Sequence, residues 1–185
     1  MNMQGSLQST FTVRRIVITG VLAAIAILLG VTRLGFIPVP NVSGSATIMH
    51  VPAIIGGVME GPVVGLLIGG IFGIYSWLQD TTGLFKNPIV SVVPRLLIGV
   101  VAYYAYVASK KINEYAALVI AGLAGTLTNT ILVVGALVAF GLIPAEVVPT
   151  IVPQAVAELI IAAVITVAVV AAWKRIETGR GKSSV

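Results

Sequence analysis

The sequence contains no cysteine. Disulfides, thiolate nucleophiles and cysteine-ligated metal centres are therefore excluded, while the redox compartment stays open. Charge is almost as scarce: 9% of the 185 residues are charged and 58% are hydrophobic. Soluble chains carry roughly a quarter charged residues, so these residues cannot clothe a water-soluble domain. There is one histidine, no His-Glu-x-x-His, no Gly-x-Ser-x-Gly and no close acidic pair inside the apolar runs. Metal-assisted and nucleophilic catalysis lack their parts. We therefore expect no enzyme, and no catalytic or metal-binding residue is assigned. The phosphate loop Gly-x-x-x-x-Gly-Lys-Ser/Thr is also missing, which excludes an ATPase within these residues. No solenoid period, heptad seam or duplication of the two halves is visible, which weighs against an inverted-repeat secondary carrier.

What remains is apolar sequence in long runs. A spanning helix takes about 20 apolar residues, so 185 residues hold six spans and little else. Charge, proline and glycine clusters divide the chain into spans at about 15–31, 45–60, 62–79, 88–108, 115–141 and 149–173. The expected fold is an all-α integral membrane protein, a bundle of six transmembrane helices. Residues 1–14 and 174–185 form tails, and residues 15–173 form one six-helix transmembrane domain. Only Glu60-Gly61-Pro62 separates spans two and three; Gly61 suits a tight turn and Pro62 the first turn of a helix. Met1 to Thr12 is polar and lacks the pattern of a signal peptide, so it reads as a retained cytoplasmic tail.

Arg14, Arg15, Lys110, Lys111, Lys174, Arg175, Arg180 and Lys182 flank one side of such a bundle, and only Arg33 and Lys86 flank the other. The positive-inside rule then places both termini in the cytoplasm. It also explains the net charge of +5 without a nucleic-acid partner.

Strongly polar groups within hydrocarbon are costly and usually face a cavity or one another. Arg95 lies about 10 Å below the outer end of span four, Glu158 about 13 Å into span six and His50 about 8 Å into span two, at ~1.5 Å per residue. Asn129 lies roughly 18 Å from the outer end of span five. All four belong to the outer half or midplane, and the inner half is almost bare. That distribution suits a pocket open to the outside and disfavours a channel or proton-coupled carrier. Each residue also has a plainer use: an Arg95–Glu158 pair could join spans four and six, His50 could be interfacial, and Asn129 could be interhelical glue. Arg95 offers a planar guanidinium to a carboxylate or phosphate. Tyr75, Trp77, Phe36 and Phe85 stand beside the proposed mouth, with Tyr75 included in the binding set. Tyr103, Tyr104 and Tyr106 are assigned to the interfacial belt at the other end. Gly65, Gly69 and Gly73 form a double Gly-x-x-x-Gly, and Gly20-x-x-x-Ala24 and Ala26-x-x-x-Gly30 mark span one.

Several segments carry a resemblance: Arg14-Arg15, Gly35-Phe36-Ile37-Pro38, Ala46-Thr47-Ile48-Met49-His50-Val51-Pro52, Glu60-Gly61-Pro62, Asn87-Pro88 through Pro94-Arg95, and Gly125-Thr126-Leu127-Thr128-Asn129-Thr130. Over nearly its whole length the sequence resembles the substrate-binding S components of energy-coupling factor (ECF) vitamin transporters, most of all the pantothenate type. The resemblance implies high-affinity capture of a vitamin outside a bacterial or archaeal cytoplasmic membrane, with the first outer loop as lid. It implies association with a transmembrane T component and two cytoplasmic ATPases, which use ATP; the chain itself would carry no cofactor. Docking in the family uses Ala-x-x-x-Ala on the first span, whose nearest match here is Gly20-x-x-x-Ala24. For pantothenate, Arg95 would pair with the carboxylate, Asn129 and His50 would bond the amide or hydroxyls, and Glu158 would orient Arg95 or a hydroxyl. Riboflavin or a thiamine-related pyrimidine is the alternative cargo, and a stand-alone secondary carrier the alternative class.

Overall fold

A computed structural model describes residues 12–38 and 45–180. The tail before Thr12, the Val39-Pro40-Asn41 and Ser43-Gly44 parts of the outer loop, and residues 181–185 lie outside the described residues. The chain is helical: α1 (Val13–Val31), α2 (Val51–Glu60), α3 (Pro62–Leu78), α4 (Pro88–Ser109), α5 (Glu114–Ala139) and α6 (Val148–Arg180). A single 3-10 turn, Ala145–Val147, leads into α6. Between α1 and α2 the chain forms an antiparallel hairpin, β1 (Phe36–Pro38) with β2 (Ser45–Thr47), pairing Phe36 with Thr47 and Ile37 with Ala46.

Local chemistry sets the helix ends. Asn87 caps α4 by accepting from the Ile89 amide at 2.9 Å, and Asn113 caps α5 by accepting from Tyr115 and Ala116. Gly61 takes φ +103°, and Pro62 opens α3 as expected.

Four helical stretches, Val13–Val31, Pro88–Ser109, Glu114–Ala139 and Ala145–Ile176, are long and apolar enough to cross a membrane. The two others are shorter. The second expected span is corrected most: residues 45–47 are strand, the chain turns at 48–50, and only ten residues of helix follow, about 15 Å long. His50 therefore stands at the N-terminal cap of α2 rather than five residues inside a helix. Hydropathy counts apolar strand and turn residues as readily as helical ones, so the run looked longer than it is. At the far end α6 continues beyond residue 173 to Arg180.

Glycine sets how closely the helices approach. Gly57 of α2, Gly65 of α3 and Gly99 of α4 meet at one crossing, where a Cβ on Gly99 would lie 2.4 Å from the Gly65 Cα. Further along the same α3 stripe, Gly69 backs onto the Arg95 carbonyl and Gly73 onto the Val92 Cα. The double Gly-x-x-x-Gly is thus spent on antiparallel α3–α4 packing. Ile54, Ile68, Ile98 and Leu118 fill the adjoining core completely. Helix α1 is the least embedded, with 22% of its apolar window buried against 44% for α4 and α5.

Polar ties close the end opposite the hairpin. Glu60 receives Arg14 Nε at 2.9 Å and Arg15 Nε at 3.8 Å, joining α1 to the α2–α3 turn. Tyr106 does not join an interfacial belt. It is buried, donates to Glu114 at 3.1 Å and accepts from Lys174 Nζ at 2.7 Å, while Lys174 also pairs with Glu114. This cluster connects α4, α5 and α6. Tyr104 remains outward facing.

Candidate ligand-binding site

Arg95 is 5% exposed, seven residues into α4. Helical side chains lean toward the N-terminus of their helix, and its guanidinium runs back along α4 so that Nη1 donates to the Val90 carbonyl at 2.8 Å. The guanidinium carbon sits 4.8 Å from the Phe85 ring centre and 5.6 Å from that of Phe72, within cation–π range of both. Phe72 reaches it because the α3 glycines let the two helices touch. Phe85 reaches it because Asp80 organises its loop: one carboxylate oxygen accepts from the Thr82 amide and hydroxyl, the other from the Phe85 amide at 3.1 Å. Slight burial works against the Asp80 charge, but the Thr82 hydroxyl and the Thr82, Phe85 and Gly83 amides outweigh it and hold the carboxyl below its ordinary range.

Among the described residues no carboxylate pairs with Arg95, and its buried Nε has no hydrogen-bond partner. The possible Arg95–Glu158 pair is not formed. Glu158 accepts instead from the Thr47 amide of β2 at 2.7 Å and from Gln154 Nε2 at 3.0 Å. It fastens the hairpin to α6. Buried, charge-assisted bonds of this kind contribute about 1.5–3 kcal/mol each. In Glu158→Ala the Thr47 amide should therefore exchange with deuterium at least about tenfold faster, read by hydrogen-exchange mass spectrometry; unchanged protection would refute the fastening role.

His50 is fully buried, and its Nε2 lies 2.9 Å from Thr126 Oγ1. The Thr126 hydroxyl donates to the Gly122 carbonyl at 2.9 Å, so its one proton is committed there and the ring donates from Nε2. His50 Nδ1 is then a bare acceptor, buried and, among the described residues, without a partner. One turn along α5 from Thr126, on the same face, Asn129 Oδ1 is also buried and unpartnered.

Three groups from α2, α4 and α5 thus present unmet hydrogen-bonding atoms, one donor and two acceptors. Buried polar atoms in folded proteins nearly always find a partner, so these three atoms are candidates for contacts with a polar ligand; Thr166 Oγ1 of α6 is another buried atom without a partner among the described residues. Of the remaining expected residues, Glu158 borders this region through β2, three residues before His50. Tyr75 packs on Gly30 of α1 beside Met49 and, among the described residues, has no hydrogen bond to Arg95, His50, Asn129 or Glu158. Trp77 donates its indole N–H to the Lys86 carbonyl and stays half exposed. Thr126, Phe72 and Gln154 were missed from sequence. The Thr126-to-Asn129 spacing of three was the available sign for the first; nothing local marked the others.

Gly20 and Ala24 lie on the outward face of α1, with nothing within 4 Å of where a Gly20 Cβ would stand. Val21, Ala24, Ile25 and Leu28 line a shallow groove of about 250 Å3 there. Ala26 and Gly30, the other small pair, face inward and are buried.

Comparison with known proteins agrees with this architecture. The chain is 28% identical to the pantothenic acid transporter PanT of Lactococcus lactis subsp. cremoris over 114 residues, covering 51% of this chain and 57% of that relative. The match thus spans little more than half the relative's length. The family model "ECF transporter, substrate-specific component" matches residues 14–170. It describes a transporter component rather than an enzyme, in keeping with the multi-pass apolar bundle. The chain belongs to the substrate-specific components of ECF transporters.

Proposed function

We propose that this chain captures pantothenate from outside the cell and hands it to an ECF module for import. The observation that carries the reading is Arg95: a buried guanidinium with no carboxylate partner among the described residues, held by a carbonyl and two aromatic rings, with Nε unmet. Pantothenate brings a carboxylate, an amide and two hydroxyls. The carboxylate meets Arg95; the amide N–H or a hydroxyl meets His50 Nδ1 and Asn129 Oδ1, both acceptors. Glu158 takes part by holding the hairpin over the site, in place of orienting Arg95. Tyr75 contributes to the wall under the hairpin. The named specificity of the 28% identical relative supports the same cargo.

The chain needs no cofactor in this scheme. A transmembrane T component docks on the outward face of α1 at Gly20 and Ala24, and two cytoplasmic ATPases supply the energy. The eight-to-two division of basic flanks supports cytoplasmic termini in a bacterial or archaeal membrane.

Calorimetry of the purified chain against a vitamin panel tests the cargo. Pantothenate should bind one to one with a Kd below about 1 µM, near −8 kcal/mol, while riboflavin and thiamine-related pyrimidines give no heat. Tight binding of one of those others, without pantothenate, would transfer the assignment to it.

A further inference from the structure

Pro94 stands inside α4, one residue before Arg95. Proline has no amide proton, so the carbonyl four residues earlier loses its helical donor. That carbonyl belongs to Val90, which is fully buried. It is the same carbonyl that receives Arg95 Nη1 at 2.8 Å. Two deficits cancel here: the backbone lacks a donor, and the guanidinium lacks an acceptor on that side. We infer that Pro94 is a positioning residue for ligand binding, because it vacates the Val90 carbonyl as a fixed seat for the Arg95 guanidinium.

The seat determines which donors remain for a ligand. One Nη1 N–H is engaged, the Phe85 and Phe72 rings constrain the guanidinium from the loop and from α3, and Nε is left without a partner among the described residues. With an alanine at 94, the new amide N–H would close the helical bond to Val90. The guanidinium would then compete with that N–H for the carbonyl, be held less firmly and sample other rotamers, and binding would bear the entropy of reordering it. The backbone effect runs the opposite way, since a proline inside a helix is unfavourable relative to alanine. A purely structural proline and a positioning proline therefore predict different pairs of signs.

This inference rests on Arg95 being the carboxylate anchor, and a double-mutant cycle tests the two separately. Pro94→Ala should weaken pantothenate binding about five- to tenfold while the thermal midpoint in detergent stays level or rises. In the Arg95→Ala background the same Pro94→Ala change should leave the residual affinity unchanged. Equal loss in both backgrounds, or no loss in either, overturns the positioning role. Nitrogen NMR of arginine-labelled, ligand-free protein supplies a readout independent of cargo. The two Arg95 Nη signals should be resolved in the parent chain, where one is held, and merge in Pro94→Ala. Identical spectra overturn the inference. If Arg95→Ala binds pantothenate as the parent does, the carboxylate anchor is wrong, and the spectra still decide whether Pro94 seats Arg95.

Discussion

Pantothenate should bind the Arg95→Ala chain more weakly by about 2–5 kcal/mol, roughly thirtyfold to several-thousandfold. The range is that of a buried charge pair losing one member. Its size comes from two sources acting together. The ligand carboxylate would be desolvated among apolar groups such as Phe72 and Phe85 with no cation to receive it, and the Val90 carbonyl would lose its donor. A second ligand sharpens the test. In the alcohol analogue of pantothenate a CH2OH group replaces the carboxylate, so the parent chain should prefer pantothenate strongly over it. Arg95→Ala should nearly abolish that preference, because both ligands would then meet the same uncharged wall. Calorimetry with both ligands reads the effect directly. An Arg95→Ala chain that still discriminates between them would place the carboxylate elsewhere.

The largest effect on folding is expected at Gly99. A Cβ there would lie 2.4 Å from the Gly65 Cα and 2.6 Å from the Ala53 carbonyl oxygen. Both neighbours are backbone atoms of other helices, so no side chain can swing away to make room. Overpacking a core that can relax costs about 1–3 kcal/mol; Gly99→Val has to separate α4 from α2 and α3 and should cost about 3 kcal/mol or more. Because that crossing holds the helices that carry Arg95 and His50, ligand binding should fall with stability. Gly20→Val is the matched control, since nothing lies within 4 Å of its Cβ position, and it should be neutral or slightly stabilising. Thermal unfolding of both variants in detergent checks the contrast. A Gly99→Val chain with the parent midpoint would show that the crossing is looser than the contacts imply.

Both effects concern residues that the sequence marks in different ways. Arg95 is conspicuous because a charge seven residues inside an apolar run needs a reason. Gly99 is not conspicuous at all, being one glycine among twenty. The stripe Gly65, Gly69, Gly73 was visible as a face for close approach, but its partner could be named only once α4 was seen against it. Tyr106 shows the reverse error. Its position near a helix end suggested a belt, yet its hydroxyl is bound by Lys174, 68 positions away, and reaches Glu114. Glu158 is visible in the sequence as an acid inside an apolar run, but its partners are the amide of Thr47, 111 positions distant, and Gln154.

The sequence by itself determined the class of molecule. Nine per cent charge and long apolar runs set the solvent and the helix content. These follow from transfer free energies, which depend on residue type and on neighbours along one helix. Only the tertiary structure decided who meets whom: that α2 is half a span behind a hairpin, that Glu158 holds that hairpin rather than Arg95, and that Val90 receives the guanidinium. Hydrogen bonds and ring contacts act over a few ångströms and ignore separation along the chain, so the positions of the polar residues within the apolar runs could be read from the sequence, while their partners had to be seen.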